Sequence, residues 1–359
     1  MKLTDFYASS TVCAPSRSSL MTGHHTGHGF IRGNKEIKPE GQQPLPSNAK
    51  IIPEVLKSSG YVSGMFGKWG LGSPGSEGDP INQGFDRFYG LNCQRQTHNF
   101  YPTHVWSDRE KVDLKGKQYS HNLIADECLS FIRQNKDNPF FCYVPFTIPH
   151  AAMQSPEERI APWRKKFPQF EKMQGKYGGA LIHNPVAAFA AMMKHVDENV
   201  GRIIDLLEEL KIADNTLVIF TSDNGPHKEG GHQPDFFNSN GPLKGYKRDL
   251  FEGGIRVATV AWWPGKIKPG SISAHVAAGW DLLPTLCELS DTKKPDGIDG
   301  VSFAPTLLGK KTEQKKREYL YWEFHEMGGE QAVRMGKWKG VRLHVRKNPN
   351  SPIELYDLS

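Results

Sequence analysis

The segment Cys13-Ala14-Pro15-Ser16-Arg17 sets a nucleophilic side chain beside a proline and a permanently charged guanidinium. Proline is well tolerated at the first position of a helix, whose free backbone N–H groups and dipole favour an anion. The spacing therefore predicts a helix starting at Pro15, with Cys13 facing an oxyanion and Arg17 as a planar donor beside it. Taken alone, the same segment also suits a helix start with a buried structural cysteine.

Three further polar sites follow apolar runs. Lys68 lies in Gly67-Lys68-Trp69-Gly70, directly after the strand expected at Tyr61–Phe66. His150 closes Phe146-Thr147-Ile148-Pro149-His150, and a histidine can give or take a proton near neutrality. Asp223 and Asn224 end Thr216–Thr221, where a carboxylate beside an amide carbonyl offers hard oxygen ligands for Ca²⁺ or Mg²⁺ rather than zinc. An Asn-Gly pair is otherwise a plain turn signal. His24, His25 and His28 have loop-like spacing and read as structural or pocket-rim residues.

These residues need elements to position them. Helix and strand patterns alternate, which predicts an α/β fold with a largely parallel, helix-flanked sheet. Ile52–Ser59 and His121–Gln134 read as helices, the second carrying Leu123, Ile124, Cys128, Phe131 and Ile132 at helical spacing. Phe140–Phe146 is a nearly continuous apolar strand. Along Ala190–Leu210, Met193, Val196, Val200, Ile203, Ile204, Leu207 and Leu210 line one face. The strand after it, Thr216–Thr221, is apolar on both faces and is expected inside the sheet. Ligands gather at the carboxyl ends of strands in open α/β sheets, which is where Lys68, His150 and Asp223 stand. A further strand is expected over Arg256–Trp263. Glu318–Phe324, Ala332–Arg342 and Ile353–Leu358 read as a small antiparallel subdomain.

Composition narrows the function. The 359 residues carry a net charge of +6, with acids and bases interleaved, which gives nucleic-acid binding no support. A hydrophobic share of 37% excludes wholesale disorder. No apolar run approaches the roughly 18 residues of a membrane span; Val257–Trp263 has seven. Five cysteines (Cys13, Cys93, Cys128, Cys142, Cys287) lack C-x-x-C spacing, which argues against a disulfide framework or zinc ribbon. Met1–Thr11 has no apolar core and does not read as a secretory signal.

Extended to Cys13-Ala14-Pro15-Ser16-Arg17-Ser18-Ser19-Leu20-Met21-Thr22-Gly23, the first segment resembles the sulfatase signature C-x-P-S-R-x-x-x-x-T-G, and other family motifs follow in order. The resemblance implies an alkaline-phosphatase-like α/β fold, with 1–265 as catalytic domain and 266–359 as its end plus an incomplete antiparallel C-terminal subdomain. It implies formylglycine made from Cys13 by a formylglycine-generating or anaerobic sulfatase-maturating enzyme. Arg17, Lys68, His150 and Lys247 would act on the sulfate, with Asp223 and Asn224 on Ca²⁺ (or Mg²⁺). Gln94 and His98 would line the substrate pocket. Lys247 precedes E-G-G-x-R, with Lys244 and Arg248 as competitors for its place, while Glu252 and Arg256 would hold structure together. Many sulfatases carry histidine where this chain has Gly70.

The substrate implied is a sulfated glycan or aryl sulfate, and the compartment periplasmic or extracellular. Sulfatases also place an Asp-Asp pair, after a first strand, well upstream of the signature. Only twelve residues precede Cys13, and Asp5 is not such a pair, so the sheet is expected to miss a strand and the metal two carboxylates. A phosphate or phosphonate ester hydrolase, and a non-catalytic sulfated-glycan binder, remain open alternatives.

Overall fold

Two mixed sheets form the middle of the computed structural model, which describes residues 1–178 and 180–359. The first has the order β6-β5-β4-β3-β7, built from Glu110–Asp113, His104–Ser107, Arg87–Leu91, Val62–Lys68 and Phe140–Tyr143. Strand β3 runs parallel to β4 and β7, with Gly64 opposite Arg87 and Val62 opposite Phe140. The second has the order β10-β11-β1-β12, from Val218–Phe220, Thr259–Trp262, Lys2–Leu3 and Ile272–Ser273. Short pairs join β2 (Phe6–Tyr7) to β13 (Ala277–Ala278) and β8 (Gln174–Tyr177) to β9 (Ala180–His183).

Helices α1 (Cys13–Thr22), α2 (Ile52–Lys57), α3 (Ser120–Gln134), α4 (Glu157–Lys166), α5 (Pro185–Glu209), α6 (Glu252–Ile255), α7 (Leu282–Leu289) and α8 (Ala304–Leu307) pack around them. The start of α5 is fixed by Asn184, whose Oδ1 accepts the Ala187 N–H at 3.0 Å, and by Pro185 in the first turn. The apolar stripe of α3 buries Ile124, Cys128, Phe131 and Ile132 under the first sheet, with the Phe131 ring 5.3 Å from that of Phe66. A side chain of that size contributes about 1.5–3 kcal/mol by leaving water. Helix α1 starts at Cys13, two residues before the expected start, so Pro15 is its third residue; the missing N–H is still one that has no intrahelical partner. No helix of the described residues is long and apolar enough to cross a membrane.

The C-terminal sheet, β14 (Leu320–Phe324), β15 (Glu330–Met335), β16 (Trp338–Leu343) and β17 (Ile353–Asp357), is antiparallel throughout. The single strand expected over Ala332–Arg342 is a hairpin that turns at Gly336-Lys337. Its inner face packs Trp322, Phe324, Ala332 and Val341 against Tyr7 and Trp280.

Strand β10 departs from expectation. Its segment is apolar on both faces, yet it lies at the edge of its sheet with Phe220 40% exposed. Strand β7, also apolar, is half-buried at the edge of the other sheet and stops at Tyr143, because Pro145 has no N–H to extend the ladder. The two edges face a common cleft of about 1850 Å³, bordered on one side by Met193, Val200 and Ile203 from the apolar face of α5. That face is consequently only partly buried. The cleft's far end holds Arg17, Lys68, His150, Asp223, Asn224 and Lys247.

Candidate active site

Strands β3, β7 and β10 all send their carboxyl ends to one place: Lys68 ends β3, His150 follows β7, and Asp223 follows β10. Helix α1 brings Cys13 to the same place with its thiol free and 5% exposed, and the neighbouring Ala14 N–H is held by Asn34 Oδ1 at 3.1 Å. Arg17 lies one turn on, on the same face. It donates to the Lys68 carbonyl at 2.5 Å and to Asp223 Oδ2 at 2.8 Å, while its Nε is buried without a partner among the described residues.

Lys68 is delivered by close backbone contact. Gly67 has φ 133°, and a Cβ there would stand 2.2 Å from the Pro145 carbonyl oxygen, which accepts the Lys68 N–H at 2.9 Å. The Lys68 side chain is 2% exposed and has no hydrogen bond or ion pair among the described residues. Burial, and then the nearby Arg17 and Lys247, pull its amine below the ordinary lysine range, against Cys13 and Asp223.

His150 faces Lys247, with Nε2 2.9 Å from the ammonium and Nδ1 3.0 Å from the Ala151 carbonyl. A carbonyl only accepts, so Nδ1 carries the hydrogen and Nε2 offers a lone pair to the ammonium. His98 stacks on the imidazole at 4.6 Å, and Tyr177 closes edge-on at 5.7 Å. Burial, then Lys247, Lys68 and His98, hold His150 well below its ordinary value. His98 is depressed to about 3 by burial, Lys68 and Lys247. In this bonding pattern His150 Nε2 carries no hydrogen.

Asp223 and Asn224 form an oxygen corner opposite these cations. Burial opposes ionisation of Asp223, but Arg17, Lys68 and Lys247 outweigh it and hold the carboxyl below its ordinary value. Asn224 Nδ2 donates to the Gly225 carbonyl at 2.9 Å, leaving Oδ1 buried without a partner among the described residues. An orphaned hard oxygen beside a carboxylate fits a Ca²⁺ or Mg²⁺ ion in kind. In number it falls short, because Ca²⁺ takes about six to eight oxygens and these two side chains offer few.

Lys247, and not its neighbours, reaches the pocket: Lys244 turns to Tyr356 and Glu354 at 2.7 and 3.3 Å, and Arg248 pairs with Glu229. Gln94 is buried beside Gly70, where a Cβ would fall 2.4 Å from its Nε2, so Gln94 fills the space a side chain at residue 70 would take. That Nε2 has no partner among the described residues. Glu252 accepts from Tyr7 and Lys339 at 2.7 and 2.8 Å, and Arg256 reaches Asp5 at 3.1 Å, an ion network that ties the C-terminal sheet to the first strands. Trp69 is fully buried against Phe85 and serves the core.

His25 and His28 do converge with Asp299, His28 Nδ1 lying 2.8 Å from its Oδ1. His25 Nδ1, however, accepts the Gly27 N–H at 3.1 Å, which fixes the neutral ring as Nε2–H and leaves no lone pair for an ion. The cluster is a carboxylate-held loop. Sequence reasoning missed Glu229, which pairs with Lys247 at 3.1 Å; its one signal was a charged residue in Lys228-Glu229-Gly230-Gly231 shortly after Asp-Asn-Gly.

The sulfatase family model matches residues 1–292, and the model for the C-terminal part of N-sulphoglucosamine sulphohydrolase matches residues 245–359. N-acetylgalactosamine-6-sulfatase of Homo sapiens is 32% identical over 329 residues, covering 85% of this chain and 58% of that protein. An arylsulfatase of Hemicentrotus pulcherrimus is 32% identical over 372 residues, covering 94% and 60%. The chain thus spans about three fifths of the length of these relatives. The crystal structure of Ps i-CgsB in complex with k-i-k-neocarrahexaose superposes with a TM-score of 0.80 at 26% identity, over 99% of this chain and 77% of that one.

Proposed function

Because the chain belongs to the sulfatase family, we propose that it hydrolyses a sulfate monoester on a glycan or an aryl alcohol, with Cys13 as the residue converted into the nucleophile. The observation that carries this reading is the convergence of Arg17, Lys68, Lys247 and His150 on the N-terminus of the helix that Cys13 opens. A monoester sulfate has three non-bridging oxygens to hold, and three cations with a helix N-terminus supply that charge in a site shielded from water. Formylglycine at position 13, installed by a maturating enzyme, would supply as its hydrate the oxygen that attacks sulfur. Ca²⁺ on Asp223 and Asn224 would add positive charge opposite the lysines.

We assign the proton for the departing alcohol oxygen to His150: Nδ1 is anchored on the Ala151 carbonyl, and Nε2, which accepts from Lys247 in the neutral ring, is the nitrogen that can give a proton once the ring is protonated. Lys68, with no partner of its own, is free to take a sulfuryl oxygen. The unpartnered Gln94 Nε2 and the His98 ring are proposed to line the substrate side. The glycan reading draws support from the relative named N-acetylgalactosamine-6-sulfatase and from the likeness to the structure solved in complex with k-i-k-neocarrahexaose. The cleft between β7 and β10 reaches Asp223 and Asn224 and leaves room there for the further oxygens the corner needs.

The test is sulfate release from 4-nitrophenyl sulfate and from sulfated galactose or glucosamine oligosaccharides, against the matching phosphate esters. The protein is co-produced with a formylglycine-generating enzyme and supplied with Ca²⁺, and the Cys13 peptide is weighed by mass spectrometry. Conversion of Cys13, preference for sulfate, and a loss of about 10³-fold or more in Cys13→Ala are expected. Turnover that survives Cys13→Ala, or a preference for phosphate, sinks the reading.

A further inference from the structure

Resting on that reading, the geometry points to Glu229 as a positioning residue: shared between Lys247 and Arg248, it anchors the Lys247 ammonium and offsets its charge, so that His150 can carry a proton beside it. Glu229 opens the short turn Glu229–Gly231, and its side chain is 13% exposed. One carboxylate oxygen accepts from Lys247 Nζ at 3.1 Å and lies 3.9 Å from His150 Nε2; the other accepts from Arg248. The turn is also tied to the histidine's own segment. The Glu229 N–H donates to His227 Nδ1 at 3.1 Å, and His227 Nε2 donates to the carbonyl of Pro149, the residue before His150, at 3.1 Å.

The charges facing His150 explain why a carboxylate is needed there. Lys68 comes from β3, Lys247 and Arg248 from one loop, and the rings of His98, Tyr177 and His227 close the remaining sides. Glu229 is the carboxylate within ion-pair distance of Lys247 among the described residues. In the neutral state Lys247 donates to His150 Nε2. Once His150 is protonated, Nε2 becomes a donor and that bond is lost, so the pair with Glu229 is what keeps the buried amine in place. In the step this serves, sulfur forms its new bond to the attacking oxygen at position 13 as the S–O bond to the ester oxygen breaks, and the ester oxygen keeps that electron pair and takes the Nε2 proton of the protonated ring.

Two readouts test it on the full chain. The first needs no turnover: His150 protonation followed by imidazole ¹⁵N NMR in saturating inorganic sulfate, with His150→Gln used to assign the resonance. Glu229→Gln is expected to lower the midpoint by about one pH unit or more, and Glu229→Asp to restore it. Arg248→Gln, a change at a partly exposed side chain that leaves the carboxylate with fewer partners, is expected to raise it. The second is leaving-group dependence. Glu229→Gln is expected to lose about tenfold or more in kcat on an alkyl or sugar sulfate, whose alkoxide needs the proton, and less than about threefold on 4-nitrophenyl sulfate.

An unmoved His150 midpoint in Glu229→Gln, a fall in Arg248→Gln, or a wild-type His150 that stays neutral in sulfate down to the acid limit of the fold overturns the inference. So does an equal loss on both esters, which is the mark of a carboxylate that only holds two loops together. If the wild type cleaves neither ester, the proposed reaction fails, while the NMR titration still decides the role of Glu229.

Discussion

The cationic wall and the oxygen corner of the pocket are built to different degrees of completion. On the wall, Arg17 is fixed at two nitrogens, Lys247 bridges His150 and Glu229, and His150 is held from both ring nitrogens and by a stacked neighbour. On the corner, one carboxylate is already engaged by Arg17 and one amide oxygen has no partner. Wall residues come from four separate stretches of chain that brace one another. The corner comes from adjacent residues, and its outer side is the open cleft. A site can therefore be rigid toward an anion while still short of ligands for a cation.

The largest expected effect comes from cutting the Arg17–Asp223 ion pair, which joins the two regions. Asp223→Asn leaves the Arg17 guanidinium, with its side chain 6% exposed, without a carboxylate. Breaking a fully buried pair costs about 3–5 kcal/mol; with Asp223 28% exposed, solvent screening reduces this to about 2–3 kcal/mol. Urea unfolding in EDTA measures it. A loss below about 0.5 kcal/mol, the usual size at a site without special features, would mean the wall stands without the corner and is more complete than described.

Calcium titration sharpens the other half of the comparison. With few oxygens on offer, the corner is expected to bind Ca²⁺ weakly, at about 10⁻⁴–10⁻³ M or above, seen as a rise in Tm that grows with Ca²⁺ concentration. Asn224→Ala is expected to remove most of that rise, while costing about 1 kcal/mol for the lost Nδ2 bond to Gly225. Submicromolar binding, or a rise untouched by Asn224→Ala, would break the comparison by showing a finished metal site.

Residues in one short motif were legible in the sequence because local chemistry defines them. Cys13 and Arg17 share a helix face, and Asp223 and Asn224 share a strand end, whatever the rest of the chain does. Periodicity likewise located α3 and α5 within a few residues. What could not be read is what depends on contact across the chain. Lys247 was separable from Lys244 only by seeing which one reaches His150, and Glu229 only by finding its two cations. The space beside Gly70 is explained by Gln94, distant in sequence. The edge position of β10 is not legible for a different reason: apolar residues on both faces say what surroundings a strand requires, and do not say whether another strand pairs on each side of it.

That edge has a consequence for how the protein behaves in a tube. Two apolar strands with unpaired N–H and C=O groups, facing one cleft, are templates for any extended segment, including one from another copy. At micromolar concentration the chain is expected to self-associate through β7 or β10, giving sedimentation that depends on concentration. Phe220→Lys, placing a charge on the exposed end of β10, is expected to suppress it. A monomer at every concentration would mean that the cleft closes in solution and the two sheets meet.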